Sequence, residues 1–290
     1  MLISRTIIAY KISIKKACKI FALSRSVYYR EPQKKDEGIK VALLGLAEKH
    51  IRWGFKKMYQ TLRREHIWNH KRIKRVYCEL KLNIRKKPKK RLPARDKQAL
   101  RQPLTGNYCW SIDFMSDALT SGRKFRTLNV LDDFNRECLG IKISNCLPAR
   151  CVIEYLDFIS QFRGYPKKIR VDNGPEFIAK EFELWAEKRG IAILHIQPGK
   201  PAQNAYIERF NRTYREDVLD LYMFDSIEEV QKITDDWLDD YNKNRPHQSL
   251  NNLAPLEFSR VTGGIPPVTP KGAVGNQQQF LTNQSTLELS

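Results

Sequence analysis

Apolar positions along the chain change their spacing near residue 105. Upstream they recur in threes and fours. Phe55, Met58, Tyr59 and Leu62 fall at i, i+3, i+4 and i+7, and Ile73, Val76, Tyr77 and Leu80 repeat the pattern. That period belongs to a helix with one buried face. Asn69 stands before the second run as an N-cap. Nearer the start, "SIKKACKIFALSRSVYYR" (13–30) reads as two short helices around "ALS". Ile14, Ala17 and Cys18 precede the turn, and Val27 and Tyr28 follow it, which predicts a helix-turn-helix. "EPQKKDEG" (31–38) is polar, contains a proline and is expected to be a linker.

Downstream the period shortens to two. "NYCWSIDFM" alternates, with Trp110, Ile112 and Phe114 on one face, and "KFRTLNVLDDF" and "RECLGIKIS" are two further strands. "PARCVIEYLDFISQF" returns to helical spacing through Val152, Ile153, Leu156 and Ile159. "KKIRV" is a strand, "PEFIAKEFELWAEKRG" a helix closed by Gly190, and "IAILHI" a strand. "GKPAQNAYIERFNRTYRED" is a loop running into a helix, and "SIEEVQKITDDWLDDYNKN" is a helix opened by Ser226. The order β-β-β-α-β-α-β-α-α predicts the α/β class: a mixed five-stranded sheet with helices on its faces, preceded by small all-α units. The expected divisions are a helix-turn-helix segment over 1–35, a second such unit over 38–84, a linker over 85–105 and an α/β core over 106–262. Residues 263–290, rich in Gly, Pro, Asn and Gln, are expected to be a disordered tail.

Charge separates the same regions. The chain has 290 residues and a formal charge of +20. Residues 1–101 carry 30 Lys and Arg against 7 Asp and Glu, and residues 102–290 carry 22 against 25, so the excess is +23 in the first part and −3 in the second. Clustered cations of this kind suit a polyanion, and nucleic acid leads because neutralising phosphates needs dense Lys and Arg. An anionic membrane is the rival, but no long basic amphipathic helix supports it. No run of 18 apolar residues exists, so no membrane span is expected, and the start of the chain is too weakly apolar for a signal peptide. The six cysteines form no Cys-x-x-Cys pair, which argues against a zinc site or a disulfide framework and for reduced thiols in a cytoplasmic protein. The second helix of the 38–84 unit keeps Lys71, Arg72, Lys74 and Arg75 off its apolar stripe, as a helix entering a DNA groove requires. An ordinary solvated basic face has the same pattern. "RKKPKKRLPAR" (85–95), opening with Arg85, Lys86 and Lys87, has seven basic residues and two prolines. It is expected to be an extended phosphate-binding linker.

Against this basic background a few carboxylates stand out. Asp172 closes the strand "KKIRV", where open α/β sheets place their chemistry, and Asn173-Gly174-Pro175 forms the turn that presents it. Asp113 interrupts an apolar strand, which is costly unless the charge is paired or bound to metal. If the first and fourth strands are neighbours, the two acids meet. Glu208 shares a small, polar helix face with Asn204, Ala205, Asn211 and Arg212. Three carboxylates ~4 Å apart repel by roughly 1–4 kcal/mol per pair, and a divalent cation removes that penalty. Mg²⁺ takes few protein carboxylates and completes its shell with water and phosphate oxygens. Two such ions ~3.5–4 Å apart are the recurrent means of in-line phosphodiester attack. Asp117 is expected in a turn, and Asp132 and Asp133 as a sheet-edge cap or solvated loop acids.

These residues carry a resemblance. "WSIDFMSDAL", "GRKFRTLNVLDDFNRE", "IRVDNGPEF", "PGKPAQNAYIERFNRTYREDVL" and "YNKNRPHQSL" occur in order, and "RWGFKKMYQTLRRE" with "NHKRIKRVYCELKLNIRKK" precedes them. The chain resembles the OrfB transposases of the insertion-sequence-three group, bacterial members of the retroviral-integrase superfamily, from about residue 13 to 260. Between Asp172 and Glu208 lie 35 residues, the spacing of that family. The resemblance implies a ribonuclease-H-like DDE catalytic core and a triad of Asp113, Asp172 and Glu208 holding Mg²⁺ or Mn²⁺, as two ions. It implies DNA strand cleavage followed by strand transfer, and a protein working on the nucleoid. Lys200, Arg209 and Arg212 would contact phosphates, and Gln203 and Asn204 would orient DNA or water. It implies a homo-oligomer on DNA, and an upstream OrfA product as fusion or partner. A catalytically idle DNA-binding remnant, or a nuclease without strand transfer, are the alternatives.

Overall fold

The computed structural model describes residues 2–29, 36–84, 100–197 and 201–263. The chain folds as two units, Met1–Ala42 and Leu43–Ser290. The first holds α1 (Leu2–Tyr10), α2 (Ile14–Ile20), α3 (Arg25–Tyr29) and the first turns of α4 (Glu37–Lys49). Ser13 caps α2 by accepting from the Lys16 amide at 3.3 Å. Ala17 and Cys18 are buried as expected, whereas Val27 stays exposed. Two features differ from the sequence-based expectation. The opening helix α1 was not anticipated, and the expected linker ends early because Glu37 and Gly38 already belong to α4.

In the second unit, α5 (Phe55–Glu65) and α6 (His70–Glu79) form on the two predicted runs. Met58, Leu62, Ile73, Val76 and Tyr77 are buried, and Asn69 caps α6 through the Lys71 amide at 2.8 Å. His66 and His70 point to different partners. His66 stacks on Trp68, and His70 meets Phe55 and Tyr59 edge-on.

The α/β part contains β1 (Cys109–Ala118), β2 (Lys124–Asp132), β3 (Cys138–Ser144), β4 (Lys168–Val171) and β5 (Ala192–His195). They form one sheet in the order β3-β2-β1-β4-β5. The first three are antiparallel, and β1, β4 and β5 run parallel. The parallel strands are joined by α7 (Ala149–Arg163) and α8 (Lys180–Lys188), with α9 (Ala205–Tyr214), α10 (Ile227–Lys243) and α11 (Pro255–Val261) following. A π-helical turn, Arg215–Leu219, extends α9.

Side-chain alternation gives the sheet two apolar faces. Trp110, Ile112, Leu128, Val130, Ile169 and Val171 pack against Val152, Leu156 and Ile159 of α7 and Phe182 and Trp185 of α8. On the other face Phe125, Leu131, Ile141 and Ile143 meet Ile207, Phe210 and Tyr214 of α9 and Val230 and Tyr241 of α10. Burying each such side chain stabilises the fold by roughly 1.5–3 kcal/mol.

Several expectations need correction. The helix predicted from Pro175 starts at Lys180, because residues after Asp172 turn tightly, the Phe177 amide bonding back to the Gly174 carbonyl at 3.0 Å. Gly190 does follow that helix, at φ +65°. Asp117 lies within β1, not in a turn, and pairs with Arg215 at 3.1 Å. Asp132 and Asp133 are buried, not solvated. Asp132 accepts from the amides of Asn107 at 2.7 Å and Phe134 at 2.9 Å. Asp133 accepts from the Ser111 hydroxyl at 2.6 Å and pairs with Arg170. Both therefore tie the sheet's end together, and burial lifts the Asp132 carboxyl to about 6.

Candidate active site

The strand order decides the first question about the acids. β1 lies beside β4 in parallel, with Ser111 opposite Arg170. Two residues further along come Asp113, midway along β1, and Asp172, just past the end of β4. Asp113 is half-buried, on the opposite face from its neighbours Ile112 and Phe114. That face is covered by α9, whose Asn211 donates to Asp113 Oδ2 at 2.7 Å. Asn211 in turn accepts from Asn129 Nδ2 at 2.7 Å, and Asn129 is the residue opposite Asp113 on β2. A buried amide relay thus holds one carboxylate oxygen, and the Phe114 amide holds the other at 2.9 Å.

Asp172 is exposed, and its Oδ1 accepts from the Gly174 amide at 3.0 Å. A Cβ at Gly174 would lie 3.0 Å from that oxygen and 3.4 Å from Glu176 Oε2, so any side chain there would displace the carboxylate. Asn173 Nδ2 ties the turn to the Ile196 carbonyl at 3.2 Å. Behind it, Phe177 is fully buried and stacks on Phe114, with ring centroids 5.1 Å apart. Glu176 pairs with Arg126, whose guanidinium covers the Phe114 ring at 4.2 Å. The turn is therefore clamped to β1 and β2 on one side and β5 on the other.

Glu208 projects exposed from the first half of α9. Burial pushes the Asp113 carboxyl up to about 6, the Phe114 amide opposes that, and the charges of Asp172 and Glu208 raise it further. Asp113 therefore feels the charges of both other acids. Among the described residues, however, no three acidic, histidine or cysteine side chains converge tightly enough to enclose a metal ion. Asp113 is tied to Asn211 and Asp172 to its own turn. The donor set consists of hard carboxylate oxygens whose mutual repulsion a divalent cation would relieve, so the chemistry of the residues fits Mg²⁺ or Mn²⁺.

Other anticipated site residues have varied surroundings. Lys71 is exposed on α6. Arg72 is half-buried on the same helix. Lys74 lies over the rings of Phe55 at 4.6 Å and Tyr77 at 5.1 Å, and Arg75 bonds Glu79 at 2.9 Å. Arg209 and Arg212 are exposed on α9. Gln203 accepts from the Gln197 amide at 2.9 Å, and Asn204 is buried. Arg85, Lys86, Lys87 and Lys200 lie outside the described residues, as do 264–290 of the expected tail. Sequence reasoning missed Asn129, Arg126 and Glu176. Only the cross-strand register and the folded turn bring them to the acids, and no local pattern marks them.

The sheet order, the covering helices and the paired carboxylates define a protein of the integrase-core class. Family models for an integrase core domain match residues 105–201 and 189–255, and one for an HTH-like domain matches 34–91. The 31.7 kDa protein of insertion element IS407 from Burkholderia multivorans is 39% identical over 261 residues, 88% of this chain and 94% of that protein. The 39.2 kDa protein of insertion element IS476 from Xanthomonas euvesicatoria is 37% identical over 251 residues, 86% of this chain and 72% of that one. Low calcium response locus protein T of Yersinia pestis is 46% identical over 125 residues, 42% of this chain and 89% of that one. The chain belongs to the OrfB transposases of the insertion-sequence-three group.

Proposed function

We propose that this chain cuts DNA at the ends of an insertion element and joins the freed 3′-hydroxyl to target DNA, using Asp113, Asp172 and Glu208. The observation that supports the reading is the parallel pairing of β1 with β4, whose register makes Asp113 and Asp172 neighbours, with the charge of Glu208 felt at Asp113. The three carboxylates would hold two Mg²⁺ or Mn²⁺ ions. Such ions supply Lewis-acid polarisation of the phosphodiester and lower the pKa of the attacking oxygen. The protein's own residues do the positioning. Asn211, steadied by Asn129, fixes the Asp113 carboxylate, and the Gly174 amide fixes that of Asp172. The exposed Arg209 and Arg212 beside Glu208 would neutralise phosphates of the bound strand. Cleavage requires one P–O bond to break as water adds, leaving a 3′-hydroxyl and a 5′-phosphate. Joining repeats the displacement, with that 3′-hydroxyl as nucleophile and a target 3′-oxygen as leaving group. DNA is the substrate and target, and pairing two element ends calls for more than one copy of the chain. An upstream OrfA product, fused or separate, would supply further end recognition.

Replacing Glu208 by Gln keeps size and removes the charge. Glu208→Gln should reduce strand joining on a duplex carrying the element's end by about 10²–10³-fold, the scale at which loss of a charge-stabilising group is felt, with DNA affinity within a few-fold. Joining at an undiminished rate would remove Glu208 from the mechanism. One observation favours a second reading, a DNA-binding protein that does no chemistry: the acids do not enclose a metal among the described residues. Binding of the end duplex by the unaltered protein, with no nicking in Mg²⁺ or Mn²⁺, would favour it.

A further inference from the structure

Between the α5–α6 hairpin and the α/β part lies a cleft of about 1370 Å³. Its lining includes Lys57, Arg136, Arg209, Arg245, His247 and Tyr206. Arg245 is paired with Asp217. Lys57, Arg136 and Arg209 have no ion-pair partner among the described residues.

Two buried atoms in this lining lack any hydrogen-bond partner, Arg136 Nη1 and His247 Nε2. Arg136 is only 7% exposed, and its guanidinium is laid 3.4 Å over the Tyr206 ring. A buried donor left unmade on a charged group is costly, and native folds keep such groups chiefly where something else completes them. Arg136 also sits at φ +61°, a left-handed conformation that glycine adopts freely and arginine does not. The β2–β3 turn therefore holds strain in order to place a guanidinium here.

The charges around the cleft converge. Burial lowers the His247 imidazole to about 3, and Arg245, Lys57, Arg136 and Arg209 push it the same way. Lys57 is held down at about 7, first by burial and then by Arg245, with Asp217 opposing. An anion in the cleft would relieve all of these repulsions at once. The lining also includes residues of α9, the helix that carries Glu208. Arg209 follows Glu208 directly on α9, so the same helix presents the acid on one side and the cation on the other.

We propose that this cleft is a docking site for a backbone phosphate of the DNA strand, received by Lys57 and Arg209, with the buried guanidinium of Arg136 behind them adding its charge. The helical hairpin and the α/β part would thereby grip one strand together. The assignment rests on the reading of the chain as a DNA-processing enzyme, but its test needs neither metal nor turnover.

The full chain would be titrated against a labelled random-sequence DNA duplex in EDTA, over a series of KCl concentrations. Removing one cation that neutralises a phosphate should lower the slope of log affinity against log salt by about 0.9. Arg136→Gly suits the turn's backbone, and Arg209→Gln alters an exposed side chain, so at least one variant folds. Both should weaken binding about 3–10-fold at low salt and flatten the slope by about one phosphate's worth. Lys232→Gln, exposed on α10, controls for net charge and should leave the slope unchanged. Slopes for Arg136→Gly and Arg209→Gln equal to that control would overturn the proposal. So would stabilisation by inorganic phosphate that disappears in Arg136→Gly while DNA binding stays intact, because the cleft would then serve a free anion. Loss of joining in Glu208→Gln is read separately, so either assignment can fail alone.

Discussion

The carboxylate pair depends on neighbours that do no chemistry themselves. Asn211 is the clearest case, because it bonds Asp113 through Nδ2 and Asn129 through Oδ1, both at 2.7 Å. Removing it would free Asp113 to rotate and leave the buried Asn129 amide unsatisfied, a destabilisation of about 1–3 kcal/mol. Outer partners of metal-ligating carboxylates typically affect metal affinity by 10–100-fold. Asn211→Ala is therefore expected to raise the Mg²⁺ concentration for half-maximal joining about 10–100-fold, with DNA affinity measured in EDTA unchanged. A variant that lost stability but kept its Mg²⁺ requirement would make Asn211 a packing residue only. The charged residues, Asp113, Asp172 and Glu208, stand out in the sequence by their strand context and motif spacing. Their supports were not, because a cross-strand partner such as Asn129 is chosen by register, and register is not written in any one segment.

Among the elements, the turn between α4 and α5 is held to α10 by a small polar seam. His50 stacks on Trp53 with centroids 3.7 Å apart, and its Nδ1 lies 3.7 Å from Asp240. That approach is not an ion pair at neutral pH. Burial, aided by Lys49 and Arg245 and opposed by Asp240, lowers the imidazole to about 4, so it is neutral there. The unfolded chain takes up the proton near 6.5, ahead of the folded protein, so this contribution is complete above 6.5 and disappears as pH falls toward 4. His50→Phe keeps the stacked ring and removes the titration. The variant's unfolding free energy, from urea melts at a series of pH values, should fall less steeply on acidification by up to one proton per molecule. An unchanged slope would show that His50 is protonated in the folded state already. The element order itself was readable from periodicity, since helices and strands each impose one spacing on apolar residues. The sequence pattern puts the start of α8 too early, because Phe177 and Phe182 continue a helical spacing across what folds as a turn.

At the scale of the whole second unit, α4 and α5 also bond α10, α11 and the turn between them. Arg64 pairs with Glu257 at 2.5 Å and donates to the Asn244 carbonyl at 3.2 Å, and Lys49 reaches Asp240 at 2.7 Å. These bonds are partly solvated and worth ~0.2–1 kcal/mol each. Arg64→Ala should lower the melting temperature by about 2–4 °C per kcal/mol of destabilisation, and the α5–α6 and α/β parts should still unfold in one transition. A split into two transitions would mean the seam alone couples them. The sequence by itself determined the fold class, most of the elements, the segregation of positive charge, and the placing of Asp113 on a strand, Asp172 after one and Glu208 on a helix. Each of these follows from local spacing or composition. Only the tertiary structure decided that β1 and β4 are neighbours, that Asp132 and Asp133 are buried ties and not solvated acids, and that Arg136 and His247 line one cleft with polar atoms unmatched. Those outcomes turn on which distant segments pack together. Pairings of that kind close long loops, and the partners are set by the shape and polarity of the assembled faces, which no single stretch of sequence carries.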